Sequence, residues 1–187
     1  MCCRQRPMHA GFTLIELLVV LASISLLASV AMSRYVALSD AAHRAGVKGV
    51  GAAYGSGVVL AHAQWLVNGG SGAVVDVEGF GAGNVDVSAD GWPVDTAGGT
   101  GGAMTTARCM RLWNALLLGS APEVAAAPGP GVQYVVSVPA PRRCRYAYQQ
   151  DAGGRQIEYD AASGVVTTFS PPASKEGWLS WPWRQDA

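Results

Sequence analysis

The carboxylate of Glu16 is the side chain in this sequence whose placement most demands a chemical use. It is the one ionisable group in an apolar run from Phe12 to Met32. A charge at membrane depth costs about 2.5–3.5 kcal/mol on insertion scales. In a medium of low dielectric it is drawn strongly to an opposite charge, so an amine on a neighbouring chain would remove two unpaired charges at once. The alternative is that Glu16 snorkels to the nearby interface. Other groups offer less chemistry. His43 and His62 lie far apart in one helical stretch and build no Ser-His-Asp set; surface or packed roles are expected for both. Gly98 to Gly102 is glycine-rich but lacks the Gly-Lys-Ser/Thr ending of a phosphate loop. Asp86, Asp90 and Asp95 crowd one loop and could bind calcium, yet their spacing is not that of an EF-hand and such loops are common as plain turns. The sequence therefore predicts no enzyme, no metal site and no cofactor.

The element that must position Glu16 is a membrane helix. Residues 12–32 are rich in Leu, Ile, Val and Ala, and at about 1.5 Å rise per residue they reach about 30 Å, the thickness of a bilayer core. The preceding segment, residues 1–11, carries Arg4 and Arg6 and no acid. That basic flank keeps this end cytoplasmic and sends the rest of the chain to the far side. A secretory signal cleaved near Ala28 to Ala31 is the competing reading, but its apolar core would be shorter and would leave Glu16 without a use.

A short basic leader ending in Gly11, followed by Phe12-Thr13-Leu14-Ile15-Glu16-Leu17-Leu18, resembles the N-terminus of type IV pilins and of the pseudopilins of type II secretion. The resemblance implies that a membrane prepilin peptidase cuts between Gly11 and Phe12 and N-methylates Phe12. It implies that Glu16, the fifth residue after the cut, pairs with the new amine of Phe12 on another subunit during assembly. It further implies an inner-membrane, single-pass precursor that passes into an extracellular pilus or a periplasmic pseudopilus. The partners would be other pilin subunits, the peptidase and the inner-membrane assembly machinery. The fold would be α+β, a long N-terminal helix packed on a small antiparallel sheet. A membrane-anchored binding module outside any fibre is the alternative.

Composition agrees with such a role. Lys plus Arg and Asp plus Glu are balanced at 13 each, so no basic surface for nucleic acid is expected. Charged residues make up only 14%, few for a soluble protein and suited to one that packs into a polymer. Cys2 and Cys3 fall in the leader and are taken as incidental. Cys109 and Cys144 lie on the extracytoplasmic side, where disulfides persist. Pilins commonly carry a disulfide in this half, so the resemblance favours a bond between them; two free thiols is the alternative.

Downstream of the membrane span, residues 33–67 read as an amphipathic continuation of the helix, with Arg34, Asp40, His43, Arg44 and Lys48 on a polar face. Gly46, Gly49, Gly51, Gly55 and Gly57 weaken it by about 1 kcal/mol each relative to Ala, and mark either close packing or ordinary weakness. Asn68-Gly69-Gly70-Ser71-Gly72 should stop it. Residues 68–187 then form a globular domain. Residues 73–102 are expected to be a long loop with one or two short strands, and 103–118 a short helix. Pro122, Pro128 and Pro130 should force irregular chain. Strands are expected at 133–138, 145–149, 156–160 and 165–169, with Pro139 and Pro141 separating the first two, giving three or four antiparallel strands. Five short runs also resemble the mannose-sensitive haemagglutinin branch of type IV pilins: Ser33-Arg34-Tyr35, Leu60 to Ala63, Gly91-Trp92-Pro93, Leu112 to Leu116 and Ile157 to Val166. Ser33 stands where many pilins have a helix-kinking Pro. Trp178, Trp181 and Trp183 would bury much apolar area if packed on the sheet, the simpler expectation, or could meet a partner subunit or a sugar if exposed.

Overall fold

The structure is a computed structural model that describes residues 12–171. The chain divides into two units, Met1–Ala41 and Ala42–Ala187. The described part of the first unit is the beginning of helix α1, Leu14–Val67. Between Leu14 and Met32 this helix is long and apolar enough to cross a membrane. Its large side chains are open to the surroundings; Leu14 is 81% exposed and Leu27 72%. Exposed leucine is costly in water and natural in lipid, so the sequence and the burial point to the same solvent.

The second unit holds one core. The later part of α1 supplies Val47, Tyr54, Val58, Ala61 and Trp65, all on one helical face. The helix stops where glycine takes over: Gly70 donates its N–H to the carbonyl of Trp65 at 3.0 Å, and Gly69 and Gly70 both have positive φ. A two-stranded hairpin follows, β1 (Asp86–Val87) with β2 (Pro93–Asp95). Helix α2 (Thr106–Leu116) is capped by Thr105, whose side chain accepts from the N–H of Arg108, and it buries Cys109, Leu112, Trp113 and Leu116.

The main sheet has five strands in sequential order: β3 (Val124–Ala125), β4 (Tyr134–Ala140), β5 (Arg143–Tyr148), β6 (Gln156–Asp160) and β7 (Val165–Phe169). Alternate residues Tyr134, Val136, Cys144, Tyr146, Ile157 and Tyr159 face the core. The fold is α+β, a helix packed on a small, mostly antiparallel sheet.

Two details differ from the expectation. The sheet is mixed, because β3 pairs parallel to β4 within the stretch expected to be irregular. The carbonyl of Glu123 accepts from both Gln133 and Tyr134, which holds the two segments side by side. Pro139 lies inside β4 instead of ending it. The register shifts between Ser137 and Ala140, so Pro139 sits in a bulge where a missing N–H does not break the ladder.

The helix glycines also find their reason. Gly51 packs against Ile157 and Thr168, a Cβ on Gly55 would stand 3.5 Å from Val166, and one on Gly57 would stand 2.8 Å from the carbonyl oxygen of Leu116. These three let the sheet and α2 approach the helix backbone. Gly46 and Gly49 have nothing within 4 Å of an added Cβ.

Candidate functional site

Phe12 and Thr13 precede the first helical residue, Leu14. Thr13 is the cap: its Oγ1 accepts from the backbone N–H of Glu16 at 3.3 Å, and its carbonyl accepts from Leu17 at 3.2 Å. Glu16 is thus the third residue of the helix and the acid of its first turn. Thr-x-x-Glu at this position has the spacing of a capping box. The placement sets the carboxylate beside the positive end of the helix dipole. Phe12 is 80% exposed and Glu16 is exposed too, so both sides of the proposed pair are open to a neighbour. Gly11, on the other side of the expected cut, lies outside the described residues, as do Cys2, Cys3, Arg4 and Arg6. The role of Thr13 escaped the sequence reading, although the residue stands in the motif. The signal was there in its three-residue spacing from Glu16.

The apolar helix carries three serines that could have left polar donors in lipid. Ser23 donates to the carbonyl of Val19, Ser25 to Leu21 and Ser29 to Leu26, each at 2.8 Å. Bonding back to the helix satisfies each hydroxyl without a partner, so these serines are tolerated at membrane depth. Glu16 keeps its singular position.

Cys109 on α2 and Cys144 on β5 form a disulfide, with Cα atoms 5.7 Å apart. Both residues are fully buried. The bond ties the helix that follows the long loop to the centre of the sheet.

The histidines have structural partners. His43 Nδ1 shares a hydrogen bond of 2.9 Å with the Tyr148 hydroxyl. His62 Nδ1 donates to the carbonyl of Gly91 at 2.9 Å, and its ring stacks on Trp92 with centroids 4.0 Å apart. Gly91 has φ of +77°, and the Trp65 ring occupies the space a side chain would need. Two of the short runs singled out in the sequence, Leu60 to Ala63 and Gly91 to Pro93, therefore meet in space.

The three loop aspartates do not converge. Asp86 is fully buried and accepts from the backbone N–H groups of Asp76, Gly98 and Gly99 at 2.7–3.1 Å. Asp95 faces Arg108 at 3.1 Å and Arg111 at 2.6 Å. Asp90 is exposed, with Arg142 at 3.9 Å. Two of the carboxylates are spent on holding the loop. Among the described residues, no group of three or more His, Cys, Asp or Glu side chains is arranged to hold a metal ion. Trp178, Trp181 and Trp183 lie outside the described residues.

Residues 6–32 match the family model of the prokaryotic N-terminal methylation motif. No curated protein and no solved structure shows significant similarity to the chain. The matched segment contains the Gly11–Phe12 junction, the Thr13 cap, Glu16 and the whole exposed apolar helix, and it heads a fold of one long helix on a small sheet. The chain thus carries a methylation motif at the head of an apolar helix long enough to cross a membrane, which supports a type IV pilin-like protein and fits a membrane-anchored precursor.

Proposed function

We propose that this protein is a structural subunit of a type IV pilus or a related pseudopilus. It waits in the inner membrane as a prepilin, is cut between Gly11 and Phe12 by a prepilin peptidase, and is methylated on the new amine. The assembly machinery then draws it into a helical fibre beside other pilin subunits. The observation that carries this reading is the placement of Glu16: a carboxylate in the first turn of an exposed apolar helix, four residues after the residue that would become the N-terminus. The amine of Phe12 on one subunit and Glu16 on the next neutralise each other within the membrane, which favours docking and sets axial register. The chain has no catalytic role of its own; it is the substrate of its peptidase and then a building block. The short runs near His62 and Trp92 lead us to place it close to the mannose-sensitive haemagglutinin pilins.

Intact-mass measurement on protein recovered from cells with an active peptidase tests the processing step. A chain that starts at methylated Phe12 is expected. An uncut chain, or one that starts after Ala31, overturns the proposal in favour of an anchored module or a secreted protein. Assembly is tested by Glu16→Ala, which should still insert and be cut but should be missing from sheared fibres. Its normal incorporation would remove the pairing.

A further inference from the structure

Five of the six tyrosines belong to one connected set of rings. Between centroids, Tyr159 lies 5.7 Å from Tyr54, Tyr54 5.4 Å from Trp113, Trp113 5.0 Å from Tyr134, and Tyr134 5.3 Å from Tyr148. Tyr146 joins the set at Trp113, 4.4 Å away. These are the separations of packed aromatic pairs. Tyr54, Trp113, Tyr134, Tyr146 and Tyr159 are buried. Tyr148 is half-buried, so the set reaches the surface there. The sixth tyrosine, Tyr35, stands apart on α1 and is 70% exposed.

The hydroxyls single out the same residue. Tyr146 donates to the Cys109 carbonyl at 2.9 Å and Tyr159 to the Pro93 carbonyl at 2.7 Å, while Tyr54 and Tyr146 share a bond of 3.1 Å. A carbonyl or a hydroxyl orients such a proton but is too weak a base to take it. Tyr148 meets a base. Its hydroxyl lies 2.9 Å from His43 Nδ1, within reach of direct proton transfer. A neutral His43 with its proton on Nε2 accepts at Nδ1. Burial, and then Asp151, raise the pKa of Tyr148 above 10.0, so the phenol carries its proton at neutral pH. The pairing bears on one-electron chemistry. A phenol that loses an electron becomes a strong acid, and its radical is kept where a base receives the proton.

We propose that Tyr148 is a redox-active side chain, with His43 as its proton acceptor, at the outlet of an aromatic relay through the core. A one-electron oxidant in solution, such as a small inorganic radical, takes one electron from the set and is itself reduced by one. The phenolic proton of Tyr148 passes to His43 Nδ1, which becomes an imidazolium, and a neutral tyrosyl radical remains. An electron vacancy that begins on Trp113 moves through Tyr134 and settles at Tyr148, where the proton is taken up. A one-electron reductant in solution, such as a thiol, returns the electron, and His43 gives the proton back. The relay draws oxidation away from Trp113 and from the Cys109–Cys144 bond on the same helix.

The test uses the full chain in detergent micelles with Tyr35→Phe, which removes the tyrosine that solution oxidants reach directly. Photogenerated carbonate radical is the oxidant, and the product is read by electron spin resonance after rapid freezing. A tyrosyl signal is expected, formed more slowly in heavy water because a proton moves with the electron. Adding Tyr148→Phe should abolish it and raise the yield of oxidised Trp113 in peptide maps. Adding His43→Gln offers the hydroxyl an amide oxygen but no base, so it should also lose the signal, which a merely structural hydrogen bond would not require. A tyrosyl signal of native strength in either variant overturns the proposal. So does an equal rate in the two waters, or a Trp113 yield that Tyr148→Phe leaves unchanged.

Discussion

Tyr146 holds Cys109 a second time. Its hydroxyl donates to the Cys109 carbonyl at 2.9 Å, while Cys144, two residues earlier on β5, is bonded to the Cys109 sulfur. One residue of α2 is thus fixed to one strand through both its side chain and its main chain. The disulfide encloses a sequence separation of 35, for which loop-closure entropy gives about 3–4 kcal/mol. Replacing both Cys109 and Cys144 by Ala should lower stability by about that amount. The folded state should persist, because Trp113 and Leu112 remain packed and the Tyr146 bond remains. Denaturant melts of the double variant in micelles check this; an unchanged midpoint would contradict it.

The phenol of Tyr54 is fully buried, and desolvation, with Tyr146 as a further cause, pushes its pKa well above the ordinary value of 10.0. Burial raises Tyr134, Tyr146 and Tyr159 in the same direction. The sign follows from proton binding. Above pH 10 the unfolded chain loses these protons while the folded chain keeps them, so stability is full below 10 and declines as pH climbs above it. Tyrosinate absorbance during an alkaline titration should rise steeply and together with loss of tertiary structure. Ionisation of all tyrosines near pH 10 with the fold intact would refute it.

Glycines on α1 should respond to substitution in opposite directions. Gly46→Ala and Gly49→Ala place a methyl group in open space, so each should stabilise the isolated subunit by up to about 1 kcal/mol through helix propensity. Gly57→Ala drives a methyl group toward the Leu116 carbonyl, a main-chain atom that cannot swing away, and should cost about 1–3 kcal/mol. Thermal melts of the three variants side by side decide the matter. A common sign for all three would show that propensity alone governs this helix.

Asp86→Ala should loosen the long loop. It strips the acceptor from three backbone N–H groups in a site with no exposure, for a loss of about 3 kcal/mol or more. Exchange at Asp76, Gly98 and Gly99 should accelerate most. Chelators should leave the melting temperature of the native protein unchanged, since Asp86 and Asp95 already have partners within the chain; a rise on adding calcium would reverse that reading.

What the sequence revealed was local. The β6–β7 hairpin could be read from its alternation and from the turn Asp160 to Gly164, where Asp160 accepts from Ala162 and Gly164 takes a φ of +70°. The stop of α1 at Asn68-Gly69-Gly70 and the motif around Glu16 were equally local. β3 was hidden because two residues carry no period, and its pairing depends on a strand ten residues away. Pro139 misled for a related reason: whether a missing N–H matters depends on the bulge, which belongs to the pair of strands and not to either one. The packing of Gly51, Gly55 and Gly57 was open at the sequence level because their neighbours, Thr168, Val166 and Leu116, come from distant parts of the chain. The candidate site was legible down to Glu16 because a membrane exposes a lone charge to view, whereas its supporting cap at Thr13 looked like one more small residue.

Tyr54 sits where α1 meets three other rings: Trp113 at 5.4 Å, Tyr146 at 5.5 Å and Tyr159 at 5.7 Å between centroids. Helix, second helix and sheet all converge on this one side chain. Tension along the axis of α1 must shear that ring past its three neighbours before the helix can slide. The load falls on interlocked aromatic surfaces instead of on loops, which gives the subunit a mechanical anchor at the middle of its own core.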